Sequence, residues 1–127
     1  MHALVLDDSK PIRLILTDIL LGIGFTVIEA ANGLEAMEVI KKEKVDLALV
    51  DWNMPDMNGY EFILEVRKDN AYKNMLMMMV STETSISKVA EALEAGANEY
   101  IMKPFNKEMI LEKLALMGIN VSKVKSP

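Results

Sequence analysis

Four short apolar runs in this chain each end on polar residues, and the residue types suit one chemistry. Ala3 to Leu6 runs into Asp7-Asp8, Val45 to Val50 into Asp51, Met75 to Val80 into Ser81-Thr82, and Glu99 to Met102 into Lys103-Pro104. If these ends meet, three carboxylates face a single ammonium, and the excess negative charge invites a hard divalent cation. Mg²⁺ favours one or two carboxylates completed by waters and a phosphate oxygen. With a metal present, a carboxylate can receive a phosphoryl group, since aspartyl phosphate is established carboxylate chemistry. Asp51 is the expected nucleophile because it ends the central strand, and Asp7 and Asp8 would hold the metal. Mg²⁺ and Lys103 would offset charge on the transferring oxygens. Taken singly, each residue has an ordinary reading. Asp7 or Asp8 could be a turn or helix-capping acid, Asp51 a turn former, Ser81 unremarkable and Lys103 a solvated lysine. Polar groups of complementary charge at four strand ends favour one shared site.

The elements that must position these residues follow from two alternating periodicities. Ala3 to Leu6 reads as a strand. Pro11 suits a first helical turn, and Ile12, Ile15, Leu16, Ile19 and Leu20 recur at helical spacing until Gly22 and Gly24. Phe25 to Glu29 reads as a second strand, and Asn32-x-x-Glu35 as a capping-box variant opening a helix through Lys42. Val45 to Val50 is apolar apart from Asp46, as a strand covered on both faces should be. Phe62, Ile63 and Val66 share a helical face, and Met75 to Val80 is a fourth strand. Ile86, Val89, Ala90 and Leu93 form the next stripe, ended by Gly96. Glu99 to Met102 is a fifth strand, and Ile110, Leu111, Leu114 and Met117 make a last helix. A βα unit repeated five times is an α/β chain with a parallel sheet and helices on both faces. Residues 1–120 form one domain, and 121–127 read as a tail or linker.

Composition narrows the function classes. The 127 residues suffice for one domain and contain no cysteine, which excludes disulfides, thiolate zinc sites and a cysteine nucleophile. His2 is the only histidine, so no Ser-His-Asp triad can form at a strand end. A net charge of −5 argues against direct nucleic-acid binding, and Lys123 and Lys125 do not change that. No apolar run is long enough to cross a bilayer, so a cytoplasmic protein without membrane insertion is expected. The eleven methionines read as core filler and adaptable surface.

Asp7-Asp8, Asp51-Trp52-Asn53-Met54-Pro55-x-x-x-Gly59, Ser81-Thr82-Glu83, Ala95-Gly96-Ala97 and Tyr100-Ile101-Met102-Lys103-Pro104-Phe105 together resemble the receiver domains of two-component response regulators. The likeness is strongest to single-domain chemotaxis regulators of the CheY type, and covers residue 3 to about 117. The resemblance implies a doubly wound, flavodoxin-like (βα)5 fold with strand order 2-1-3-4-5. Strand two is then an edge, and the other four strand ends face one another. It also implies roles. Asp51 is the phosphoacceptor; Asp7, Asp8 and Asp51 bind Mg²⁺ (or Mn²⁺) with the Asn53 carbonyl. Ser81 and Lys103 contact the phosphoryl group, Tyr100 turns inward with Ser81 as the switch, and the Lys103-Pro104 bond is cis. The implied donor is a histidine kinase or phosphotransfer protein. The implied output is a downstream protein, such as the flagellar motor switch, on the face made by helix four, strand five and helix five. A monomer is expected, with a dimer on phosphorylation open. Such a chain is a switch that catalyses only its own phosphorylation and dephosphorylation. Trp52, beside the acceptor, is expected to be partly exposed, with emission that reports metal binding.

Departures bear on the output. Ser81 stands where threonine is commoner but keeps the hydroxyl. Val89, Tyr100 and Lys113 suit motor binding, whereas Leu116 replaces a usual lysine and puts it in doubt. Asn53 and Glu83 match a pattern of fairly rapid self-dephosphorylation. A receiver cut from a longer, for example transcriptional, regulator would look similar. A dehalogenase-type phosphatase needs a general acid at the position held by Asn53, and an amide cannot protonate a leaving group. An FMN carrier would not place Asp7-Asp8 against a phosphate. Gly22-x-Gly24-x-x-Val27 lacks the third glycine of a dinucleotide fingerprint and precedes a strand.

Overall fold

The computed structural model describes residues 1–121; the proposed tail, apart from Val121, lies outside them. Five strands, β1 (His2–Leu6), β2 (Thr26–Ala30), β3 (Leu47–Val50), β4 (Leu76–Ser81) and β5 (Glu99–Met102), alternate with five helices. The helices are α1 (Lys10–Gly22), α2 (Gly33–Lys42), α3 (Gly59–Lys68), α4 (Ile86–Ala95) and α5 (Lys107–Leu116). All strand pairs are parallel, in the order β2-β1-β3-β4-β5. The expected doubly wound sheet is the observed one.

Strand periodicity divides the core in two, because successive side chains point to opposite sheet faces. Leu4, Leu6, Ala48, Val50, Met77 and Met79 face Ala36, Ile40, Phe62, Ile63 and Val66 from α2 and α3, with Ala92 of α4. Ala3, Val5, Leu47, Leu49, Met78 and Val80 face Leu16, Ile19 and Leu20 of α1 and Ile110 and Leu114 of α5. Burial on both faces explains why β1, β3 and β4 read as continuous apolar runs. The methionines of β4 are core filler, as expected.

Helix starts are fixed by side chains that accept otherwise unpaired amide hydrogens. Ser9, Asn32, Asn58, Ser85 and Asn106 cap α1 to α5 in turn. At α2, Asn32 Oδ1 accepts from the Glu35 amide at 2.9 Å, but Glu35 Oε1 accepts from Ala31, one residue before the cap. The full reciprocal box closes at α3, between Asn58 and Glu61.

Boundaries shift by one or two residues from the sequence expectation. Phe25 precedes β2 and is buried in the core on the α1 and α5 side of the sheet. Val45 precedes β3. Met75 precedes β4, its amide donating to Tyr72 O at 3.1 Å just after a 3-10 turn over Asn70–Tyr72. The larger correction concerns α4. Ala92 is buried, with Val89 and Ala95 packed beside it, while Ala90 is exposed and Ile86 and Leu93 are 88% and 44% exposed. Two adjacent stripes fit helical spacing on this alanine-rich helix, and the small Ala92 side allows the closer approach to the sheet. The end of α4 is set by Arg67 of α3, whose guanidinium donates to Gly96 O at 3.0 Å, Tyr72 O at 2.9 Å and Met75 O at 2.8 Å. Gly96 has φ 123, and a Cβ there would run into the Arg67 side chain.

Candidate functional site

β1, β3, β4 and β5 end side by side, so the polar residues that follow them meet. Asp51 follows β3, its amide donating to Leu6 O at 2.8 Å, which places it directly against the end of β1. One carboxylate oxygen from each of Asp7, Asp8 and Asp51 lies within 4.8 Å of the others. Asp7 and Asp51 are only 1% and 6% exposed, whereas Asp8 faces solvent. Lys103 reaches over from the end of β5, its Nζ 3.0 Å from Asp7 Oδ2 and 3.4 Å from Asp51 Oδ1. The Lys103-Pro104 bond is cis, as the resemblance implied. Its backbone is tied to β4 as well, the Lys103 amide donating to Ser81 O at 2.8 Å.

Ser81 is fully buried at the end of β4, and its Oγ accepts from the Glu83 amide at 3.2 Å. Tyr100 is buried too, its hydroxyl donating to Glu83 O at 2.8 Å. Tyr100 is thus tied to the same loop that closes on Ser81. Burial raises the Tyr100 phenol above its ordinary pKa, so it stays a neutral donor. Asn53 lies exposed two residues beyond Asp51. Trp52 departs from expectation. It is only 7% exposed, stacks on Tyr60 at a ring separation of 5.3 Å and has Lys88 Nζ 5.1 Å from its ring centre. Two partners on α3 and α4 take up the ring surface that sequence reasoning left to solvent. Its emission is still expected to change on Mg²⁺ titration, because Trp52 adjoins Asp51 in the chain; constant emission during saturable binding would refute that.

The electrostatics follow from burial of like charges. Burial, then the Asp7 charge, raises the Asp51 pKa from 3.8 to about 6 against the pull of Lys103. For Lys103, burial lowers the pKa, but the hydrogen bond to Asp7 and the charges of Asp51 and Asp7 outweigh it and leave the group above its ordinary value. Lys103 is thus a fixed cation. In the metal-free protein the folded state takes up the Asp51 proton before the unfolded chain does. This group's contribution to stability therefore falls as pH rises from 3.8 through about 6, and the full cost of the buried charge is present above that. Metal affinity runs the other way, since a ligand carboxylate must be deprotonated. Mg²⁺ binding is expected to weaken progressively as pH falls through about 6, and calorimetric titrations at several pH values would check this.

The loop after Asp51 is closed by backbone approach. The Gly59 amide donates to Trp52 O at 2.9 Å, and a Cβ on Gly59 would collide with the Asp51 carbonyl oxygen. Within the loop, Asp56 adopts φ 64, a left-handed conformation that aspartate tolerates better than most residues. Gly59→Ala is expected to cost about 1–3 kcal/mol of stability, the usual range for forced overpacking, and to displace Asp51. Urea unfolding together with Mg²⁺ titration would measure both effects.

Sequence reasoning named Asp7, Asp8, Asp51, Ser81 and Lys103, and the fold brings their strand ends together. It did not single out Arg13, whose Nη1 donates to Asp7 O at 2.7 Å, nor the close approach of Gly59. An arginine on the first turn and a half of a helix carries no signal of which way it turns. The acidic cluster suits a hard cation: oxygen donors at short mutual distance, two of them buried, and one lysine that does not neutralise them all.

A parallel five-stranded sheet in this order, with an acidic cluster and a lysine at its carboxyl edge, defines a doubly wound α/β protein with a charged crevice at the strand ends. Residues 3–115 match the response regulator receiver domain model, and the chain belongs to that family of phospho-accepting regulators. It is 43% identical over 116 residues to the chemotaxis protein CheY homolog of Campylobacter jejuni strain 81-176, covering 90% of this chain and 89% of that one. It is 41% identical over 123 residues to the chemotaxis protein CheY1 of Helicobacter pylori strain J99, covering 94% and 99%. The crystallised chemotaxis regulator CheY4 of Vibrio cholerae superposes with a TM-score of 0.85 at 38% identity, over 91% of this chain and 96% of that one. Receiver domains bind Mg²⁺ at such acidic clusters, here Asp7, Asp8 and Asp51.

Proposed function

We propose that this chain takes a phosphoryl group on Asp51, with Mg²⁺, from a histidine kinase or phosphotransfer protein, and thereby changes the surface formed by α4, β5 and α5. The observation that carries the proposal is the pairing of the Lys103 ammonium with both Asp7 and Asp51 beside an exposed third carboxylate. An ionised Asp51 oxygen attacks the phosphorus of a phosphohistidine or an acyl phosphate. The bond to the donor breaks as the new P–O bond forms, and the leaving group departs with the electron pair. Mg²⁺, when bound by Asp7, Asp8, Asp51 and the Asn53 carbonyl, supplies positive charge against the transferring oxygens. Lys103 supplies a further fixed charge, and the Ser81 hydroxyl, whose oxygen accepts from the Glu83 amide, donates its hydrogen to a phosphoryl oxygen. Hydrolysis of the acyl phosphate by water restores the carboxylate. No other substrate turns over: the protein acts as a switch, with catalysis confined to its own modification.

The output side of the proposal rests on the exposed apolar residues of α4, β5 and α5. Ile86 and Leu93 stand out on α4, Met102 on β5 and Leu116 on α5, where it is 67% exposed. A chemotaxis role agrees with the relatives named above, and a cytoplasmic location goes with it. Among the described residues no helix is long and apolar enough to cross a membrane. The test is intact-mass measurement after incubation with acetyl phosphate and Mg²⁺. A gain of one phosphoryl group, lost in Asp51→Ala, supports the proposal; an unchanged mass, or equal labelling of the variant, rejects it.

A further inference from the structure

Arg13 lies near the start of α1, and its side chain turns back toward the strand ends. Nη1 donates to the Asp7 carbonyl oxygen at 2.7 Å, and Nε pairs with Glu29 Oε1 at 3.0 Å at the end of β2. The arginine side chain is 16% exposed and that of Glu29 36%. The guanidinium thus joins helix, edge strand and acidic loop. The oxygen it holds belongs to the peptide unit between Asp7 and Asp8. That unit is planar, so holding its oxygen restrains how the unit can turn about the line joining the Asp7 and Asp8 Cα atoms, and with it the backbone from which the Asp8 side chain leaves.

The two aspartates differ in how they are held. Asp7 has its own anchors: its amide donates to Ala30 O at 3.2 Å, Oδ1 accepts from the Ser9 amide at 2.8 Å, and Oδ2 accepts from Lys103 at 3.0 Å. Asp8 is exposed, and among the described residues no hydrogen bond runs to its carboxylate. Its place within 4.8 Å of Asp7 and Asp51 is therefore set by its backbone and by the rotamers that backbone allows, with no side-chain anchor among the described residues.

We propose that Arg13, itself oriented by Glu29, is a positioning residue for the metal site, setting the Asp7-Asp8 peptide so that the Asp8 carboxylate stays beside those of Asp7 and Asp51. The inference rests on reading the acidic cluster as a Mg²⁺ site. Arginine is suited to the task because its rigid fork serves two acceptors at once, whereas a lysine ammonium concentrates its donors at one point. Groups that orient metal ligands typically contribute 10–100-fold to affinity, and a contact made through the backbone belongs near the lower end, about tenfold. The sign separates this role from a simple charge effect. Removing a cation beside three carboxylates would by itself tighten Mg²⁺ binding, whereas loss of positioning weakens it.

The experiment is calorimetric titration of Mg²⁺ alone into the parent chain, Arg13→Ala, Arg13→Lys and Glu29→Gln at neutral pH, with far-UV circular dichroism confirming the fold of each. Arg13→Ala is expected to bind about tenfold more weakly, Arg13→Lys to recover part of the loss, and Glu29→Gln to lose less than Arg13→Ala. Should Arg13→Ala fail to fold, Arg13→Met, which removes the same cation but keeps the apolar stem, carries the same comparison with the sign argument intact. Folded variants that bind Mg²⁺ as tightly as the parent, or more tightly, overturn the inference and leave the metal site standing. A parent chain that binds no Mg²⁺ removes the metal reading, and this inference with it.

Discussion

Replacing Asp51 by asparagine is expected to abolish phosphoryl uptake and, without metal, to make the fold more stable. The two effects have one origin. The ionised carboxylate is buried beside Asp7 and only partly compensated by Lys103, which is why its pKa stands near 6 instead of 3.8. Each pKa unit corresponds to about 1.4 kcal/mol, so holding this carboxylate charged at neutral pH costs on the order of 2–3 kcal/mol. Asparagine keeps the shape and removes the charge, and it offers no anionic oxygen to attack phosphorus. Urea unfolding in the presence of a chelator should show the variant ahead of the parent at pH 7, and the gap should narrow as pH falls below about 6. Saturating Mg²⁺ should also narrow it, because metal binding stabilises the parent preferentially. A variant no more stable than the parent would mean that Asp51 does not carry the cost.

Lys103→Met is expected to move phosphorylation and metal binding in opposite directions. Loss of a preorganised cation from developing charge typically slows reaction by about 10²–10³-fold, so labelling by acetyl phosphate should become very slow. Mg²⁺ should bind more tightly, because the carboxylates lose a cation paired with both Asp7 and Asp51. In the metal-free state, breaking a buried pair by removing one partner costs about 3 kcal/mol or more, since the remaining charge is left uncompensated. Mg²⁺ should restore much of that stability without restoring the rate. If labelling kept its speed, Lys103 would be only a structural partner of Asp7. If metal affinity fell, the ammonium would be holding the carboxylates in position more than competing for them.

Much of this site was legible because strand ends are punctuated by polarity. A buried parallel strand must be apolar, so Asp51 after Val50 and Lys103 after Met102 declare both the end of a strand and a reason to be at its carboxyl edge. Capping chemistry placed helix starts nearly as well, as at Asn32. Trp52 was misread because an aromatic next to a loop acid has no partner in its own segment. Tyr60 and Lys88, which cover it, come from two separate helices. The α4 stripe was misread for a related reason: spacing defines faces of a helix but not which of two adjacent faces turns inward.

Local sequence therefore determined the alternation of elements, the two-sided burial of the sheet and the identities of the reactive groups. These depend on period, propensity and polarity over a few residues at a time. Tertiary structure decided everything that needs distance across the sheet: the pairing of Lys103 with Asp7 across 96 positions of chain, the hold of Arg13 on the acidic loop, and the raised pKa of Asp51. Desolvation and Coulomb energy are set by what surrounds a charge in space, and chain order does not contain that.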